Sequence, residues 1–198
     1  MKNYLVVDNW YSETEKLNVM KELDFLSTLD PIRAENYSGV AKKNNKPLIK
    51  GYRIFPHELY TFKGMEKSHI FKGLKKFQIK EFHNKVIEVF KDTNLALSEQ
   101  FMGTNCSKTI INYYENNDGY NEHNDVHPFT VLIWIYKEPK KFEGGDLIFT
   151  KFNEEIKCTN NRLVLFPGFY HHKVTPIKMK NEDVGFGRFA ITHFFFNN

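Results

Sequence analysis

Cysteine is nearly absent from this chain: Cys106 and Cys158 are the only two among 198 residues. They lie far apart, with no metal-binding spacing and no disulfide framework, which fits a reducing compartment and two small buried side chains. Long apolar runs are missing as well. The longest, Val131 to Tyr136 with Phe129 just before it, falls far short of the ~20 residues a transmembrane helix needs. The first residues carry Lys2 but reach Asp8 without a signal-peptide core. The expectation is a cytoplasmic protein with no membrane partner. A strong charge of one sign is lacking too. The net charge of +4 permits an anionic ligand but is far from the basic stripe of a nucleic-acid binder. Arginine is scarce: Arg33, Arg53, Arg162 and Arg188 are the only four among 28 basic residues. Codon bias explains the scarcity, but an arginine retained in so lysine-rich a chain marks its position as a functional candidate.

What is present points to a folded domain. With 41% hydrophobic and 26% charged residues, the chain is neither disordered nor fibrous. There is no repeat, low-complexity tract or Pro/Gly/Ser linker. We expect a single domain over 1–198, with a helical and lid-forming lead-in over 1–95 and a β-rich core over 96–198. Residues 3 to 7 read as a strand. Ser12 and Glu15 form a capping box, and Leu17, Met20, Leu23, Leu26 and Leu29 fall near one helical face. Residues 31 to 50 read as a lysine-rich loop, and 51 to 62 as a strand interrupted near Pro56. A second amphipathic helix is expected from Gln78 to Asp92, with Ile79, Phe82, Val86 and Phe90 near one face. Beyond Leu95, short β-type runs alternate with turn signals. They centre on 98–103, 107–115, 129–137, 146–151, 155–158, 162–166, 171–176 and 187–196, which suggests a sandwich, jelly roll or barrel.

The chemistry concentrates between Tyr113 and Arg188. His123 and Asp125 are two apart and point the same way on extended backbone. One imidazole and one carboxylate make two thirds of a 2-His-1-carboxylate face, which leaves open positions and suits non-haem Fe(II). His172, in a strand-like run after Phe166-Pro167-Gly168, is the candidate third ligand, with His171 its competitor. Arg188 opens the last apolar strand. On that strand Arg188, Ala190 and Thr192 share one face, and Phe189, Ile191 and His193 the other. His127 reads as a turn histidine before Pro128, His193 as a satisfied histidine, Asp146 as a turn residue and Arg162 as a hairpin residue. Arg53 is a candidate substrate contact.

Four motifs in order carry a resemblance. They are Y-x9-H-x-D (Tyr113, His123, Asp125), F-x-G-G-x-L-x-F (Phe142 to Phe149), F-P-x4-H-x-V-x-P (Phe166 to Pro176) and R-F-A-I-T (Arg188 to Thr192). The segment from about 107 to 196 resembles the Fe(II)- and 2-oxoglutarate-dependent dioxygenases, in particular the prolyl 4-hydroxylase-like branch. The resemblance implies an α+β, mainly-β fold: a double-stranded β-helix (jelly roll) with N-terminal buttressing helices. It implies Fe(II) on His123, Asp125 and His172, which are also the catalytic residues, 2-oxoglutarate and O2 as cosubstrates, and ascorbate as a candidate reductant. Arg188 would take the far carboxylate of 2-oxoglutarate, through a fork that matches it bidentately. Tyr113 is placed like the family tyrosine that hydrogen-bonds the cosubstrate, with Tyr114 as the fallback.

The implied reaction is hydroxylation of an aliphatic C–H, of a prolyl or other amino-acid residue, peptidyl or free, with release of succinate and CO2. Because Asp125 occupies the position that halogenating relatives leave to a small residue, hydroxylation is favoured over halogenation. The partner is then a peptide, protein or amino acid rather than nucleic acid. The rivals are an AlkB-like nucleic-acid demethylase, a non-catalytic jelly-roll binding protein and a zinc hydrolase. AlkB-type enzymes carry an arginine six residues past the cosubstrate arginine, and here that residue is Phe194.

Overall fold

The computed structural model describes residues 4–29, 31–37, 40–91 and 94–198. In chain order, β1 (Leu5–Val7) leads into α1 (Glu13–Ser27). Short strands follow: β2 (Ile32–Arg33), β3 (Lys42–Lys43), β4 (Lys46–Pro47), β5 (Ile49–Lys50) and β6 (Tyr52–Ile54). The next stretch is helical: α2 (Pro56–Leu59), α3 (Phe62–Lys67), α4 (His69–Gly73), α5 (Lys80–Phe90) and α6 (Leu95–Met102). Three longer strands then appear, β7 (Cys106–Tyr114), β8 (Gly119–His123) and β9 (Phe129–Tyr136). They are followed by β10 (Phe142–Glu143), β11 (Leu147–Phe149), β12 (Glu154–Ile156) and β13 (Arg162–Pro167). The chain ends with β14 (His172–Val174), β15 (Lys178–Met179) and β16 (Arg188–Phe196).

These strands build two principal antiparallel sheets. The larger runs β1-β13-β9-β16-β7-β6-β2, and the smaller β12-β11-β14-β8-β5. The fold is mainly β, and two such sheets are consistent with a jelly roll. Period-2 alternation decides what each strand offers to either side. On β9, Val131, Ile133 and Ile135 enter a core shared with Leu23, Leu26, Val86 and Phe90 of the helices. Leu132, Trp134 and Tyr136 of the same strand enter a second core with Phe166 of β13 and with Leu147 and Phe149 of the smaller sheet. Both faces of β9 are covered, which explains why it is apolar at every position but Thr130.

Several elements differ from expectation. Ser12 and Glu15 do exchange the two hydrogen bonds of a capping box, but α1 buries Val19, Leu23 and Leu26, while Leu17 and Leu29 are exposed. α5 buries Phe82, Val86 and Phe90 and leaves Ile79 exposed at its N-cap; Asp92 lies outside the described residues. The run 98–103, expected as a strand, belongs to α6, because Leu, Ala, Glu, Gln and Met favour a helix once Leu97 and Phe101 pack on one side. Residues 31 to 50 contain four short strands rather than a plain loop. Among the described residues no helix is long and apolar enough to cross a membrane.

Candidate active site

The two sheets enclose a cavity of about 400 Å³. His123, Asp125 and His172 line it, and one ligand atom from each lies within 4.8 Å of the others. His172 on β14 pairs directly with His123 on β8, so strand register alone brings the imidazoles together. Their ring centroids are 4.3 Å apart. Between His172 and Val174 the register on β8 shifts from His123 to Tyr120, a bulge of one residue. The bulge resets the alternation, so Tyr120 and His123 both face inward although three apart; the two rings stack at 3.6 Å.

Each histidine is oriented by its own backbone. Nδ1 of His123 donates to the Asn121 carbonyl and Nδ1 of His172 to the Tyr170 carbonyl, both at 2.8 Å. That fixes the tautomer and leaves each Nε2 lone pair free for a metal. Both Nε2 atoms point at Asp125, at 3.8 Å from Oδ1 and Oδ2 respectively. Burial, reinforced by His172, lowers the His123 pKa to about 3, so this imidazole is neutral, as a ligand must be.

Asp125 is held from both ends. The Thr130 hydroxyl donates to its Oδ2 at 2.5 Å, and its backbone N–H donates to the Gly168 carbonyl at 2.8 Å. Gly168 in turn donates to the Pro128 carbonyl at 2.8 Å. A Cβ at Gly168 would sit 1.9 Å from the His127 carbonyl oxygen, so no other residue fits without moving the turn that carries Asp125.

Arg188 lines the same cavity. It is fully buried, and Nε, Nη1 and Nη2 all lack a hydrogen-bond partner. Its guanidinium lies over the Tyr114 ring at 4.7 Å and beside the Trp134 ring at 5.7 Å. Gly145, at φ +73°, lets the backbone pass close by; a Cβ there would be 3.1 Å from Arg188 Nε. Three orphaned donors on one buried cation are costly unless an anion joins them. Ala190 and Thr192 share the cavity face with Arg188, whereas Phe189 and Ile191 turn into the helix-side core.

The structure puts the two tyrosine candidates on opposite faces. Tyr113 lies on the helix-side face, where its hydroxyl donates to Glu115 at 2.9 Å and accepts from the Gly187 N–H at 3.1 Å. Tyr114 is the residue that pairs across the strands with Arg188 and lines the cavity. Parity decides this: Lys108, Ile110, Asn112 and Tyr114 form the inner face of β7. Burial pushes the Tyr114 hydroxyl up to about 12, against the opposite pull of Arg188 and Arg53.

The remaining candidates fall in separate places. His171 points away, exposed beside Glu122. His127 lines the cavity mouth against Phe194 and Phe196. Arg53 is buried in the cavity wall. Asp146 accepts from the Cys158 N–H at 2.7 Å and pairs with Lys157, a structural role. Arg162 pairs with Asp8 at 2.6 Å. His193 is buried against the helices. Its Nδ1 shares a 2.9 Å hydrogen bond with the Thr109 hydroxyl, but its Nε2 has no partner, so it is only half satisfied. Sequence reasoning overlooked Thr130 and Tyr37 in the cavity wall. A polar Thr130 at an inward position of an otherwise apolar strand was the available signal.

The fold has known counterparts. A prolyl-4-hydroxylase from Pseudomonas putida superposes with TM-score 0.66 at 12% identity, over 99% of this chain and 93% of that one. A prolyl hydroxylase from Trichoplax adhaerens, solved with a hypoxia-inducible-factor peptide fragment, gives 0.62 at 16% identity, over 98% and 84%. The viral collagen prolyl hydroxylase of Paramecium bursaria Chlorella virus-1 gives 0.57 at 12%, over 98% and 95%. No curated protein sequence matches the chain. Residues 109–196, a little under half of the chain, match the model of the 2OG-Fe(II) oxygenase superfamily, and the fold is like that of the prolyl 4-hydroxylases. That match supports a 2-oxoglutarate-dependent dioxygenase and implies Fe(II), 2-oxoglutarate and O2.

Proposed function

We propose that this protein hydroxylates an aliphatic C–H of a prolyl or other amino-acid residue, with Fe(II) held by His123, Asp125 and His172. The donor set fits such an ion: two imidazole nitrogens and one carboxylate converge, and no fourth protein ligand closes the site among the described residues. When bound, iron with 2-oxoglutarate and O2 supplies the oxidising chemistry, in which decarboxylation to succinate and CO2 accompanies oxygen insertion into the C–H bond. The chain's own residues supply orientation. Asn121 and Tyr170 carbonyls aim the imidazoles, and Thr130 and Gly168 aim the carboxylate. Arg188 takes the far carboxylate of 2-oxoglutarate, and Tyr114, rather than Tyr113, flanks it.

The observation that carries this reading is Arg188, a fully buried guanidinium whose three nitrogens are all unpartnered, in the same cavity as the His-Asp-His cluster. A zinc hydrolase would leave that cation without a counterion. Phe194, which lines the cavity six residues past Arg188, gives a nucleobase no cationic partner at the position where AlkB-type enzymes have one. The single domain spans 1–198 in this reading, and scarce cysteine accords with a cytoplasmic location. The test is anaerobic titration of Fe(II) and 2-oxoglutarate into the protein, following the visible charge-transfer absorption of the chelate. Wild type is expected to develop the band and Asp125→Ala to lose it; a wild-type protein without the band refutes the assignment.

A further inference from the structure

A second arginine in the same cavity is left without an anion. Arg53 on β6 is 6% exposed and pairs in register with Asn112 on β7. Its Nε donates to the neutral Asn112 Oδ1 at 2.8 Å, and it neighbours Tyr120. Among the described residues no carboxylate forms an ion pair with it. Among the described residues lining the cavity, the one carboxylate, Asp125, is already directed at the two histidines.

The formal charges can be summed on the hydroxylase reading, on which this inference rests. Iron(II), the Asp125 carboxylate, the 2-oxoglutarate dianion and the Arg188 guanidinium cancel. Arg53 is left over, beside a metal centre and largely out of water, where an uncompensated cation is costly. Outside the cavity the field has the same sign. Exposed Lys108 lies on its wall, and Val40 and Ala41 of the wall run into the β3–β4 hairpin, which carries Lys42, Lys43 and Lys46. None of these lysines forms an ion pair among the described residues. A cationic entrance leading to an unpaired buried guanidinium attracts and then fixes an anion.

We infer that Arg53 is a specificity residue that binds a carboxylate of the substrate, so that this enzyme selects an acid over its neutral amide. Two sources supply that group: the free carboxylate of an amino acid, or an acidic side chain next to the reacting residue in a peptide. Paired probes separate them. N-acetyl-L-proline is compared with N-acetyl-L-prolinamide, and the capped dipeptide Asp-Pro with capped Asn-Pro. Binding is measured by calorimetry under nitrogen to protein loaded with Mn(II) and 2-oxoglutarate.

A charge-assisted fork predicts that the acid of one pair binds roughly tenfold or more tightly than its amide. The first pair showing this identifies a free carboxylate, the second an acidic peptide. Arg53→Gln should abolish the preference and Arg53→Lys restore part of it. Equal affinities within both pairs in wild type, absence of binding in both, or a preference that survives Arg53→Gln would each overturn the inference. The wild-type comparison stands even where a variant fails to fold. Failure here leaves the 2-oxoglutarate titration untouched, so this inference and the hydroxylase reading fall separately.

Discussion

Replacing Arg188 by methionine separates a ligand socket from a structural cation. The wild-type guanidinium is fully buried with three unpartnered nitrogens, compensated only by the faces of Tyr114 and Trp134. A buried ion without a partner carries a penalty of several kcal/mol, and apolar replacement of buried charges is often stabilising by about 1–4 kcal/mol. Arg188→Met keeps length and removes the charge, so the ligand-free protein should gain roughly that amount. For a chain of this size each kcal/mol moves Tm by about 2–4 °C. The ligand-bound state should respond in the opposite direction. Losing one partner of a buried, hydrogen-bonded charge pair costs about 2–5 kcal/mol, which weakens 2-oxoglutarate binding by roughly 30-fold to several thousand-fold. Thermal unfolding with Mn(II), with and without 2-oxoglutarate, reads both effects. Wild type should be stabilised by 2-oxoglutarate, by about 2.7 kcal/mol at a hundred times its Kd. The variant should start higher and fail to respond. A variant that is less stable when ligand-free, yet equally stabilised by 2-oxoglutarate, would show that Arg188 is a structural cation and the socket argument is wrong.

Three further outcomes are expected. Gly168→Ala forces a Cβ onto the His127 carbonyl, so it should cost about 1–3 kcal/mol of stability and also weaken Mn(II) binding, measured by calorimetry, because Asp125 moves with the turn. Tyr114→Phe should weaken 2-oxoglutarate binding about five- to tenfold, the loss of roughly one hydrogen bond, whereas Tyr113→Phe should leave it within about twofold; the reverse order would restore the assignment based on motif spacing. Burial lowers the His193 pKa from 6.5 to about 3, with His57 a lesser cause. The unfolded chain therefore binds this proton first. The contribution is intact above pH 6.5 and is lost as pH falls toward 3, by up to ~1.4 kcal/mol per pH unit. Thr109→Val combined with His193→Phe, which removes both partners of the hydrogen bond, should flatten that acid limb in urea unfolding; an unchanged limb would place the acid lability elsewhere.

Legibility of the sequence varies with the length scale of the signal. The convergence of His123, Asp125 and His172 is readable because they sit in motifs with fixed spacing, and Arg188 stands out because a lysine-rich chain keeps few arginines. The face assignment of β16 is readable from alternation alone. Distance to His123 favours Tyr113 and parity with Asn112 favours Tyr114; each face of β7 mixes polar and apolar residues, so hydrophobicity cannot break the tie. The bulge in β8 is invisible, since nothing in Gly119 to His123 marks an extra residue. Helices α2 to α4 are too short to show an amphipathic period. Leu17 on α1 and Leu29 just past its end fit the helical stripe in sequence but are exposed. Arg53 is a candidate from its rarity, but only register sets it opposite Asn112, inside the cavity.

The central claim is that iron on His123, Asp125 and His172 works together with 2-oxoglutarate on Arg188. Its most direct measurement is O2-dependent succinate formation by the Fe(II)-loaded protein as 2-oxoglutarate is titrated. Wild type should form succinate with saturation, Asp125→Ala should form none, and Arg188→Met should bind iron but require far more 2-oxoglutarate. Wild type without succinate, or Arg188→Met with an unshifted titration curve, would contradict it.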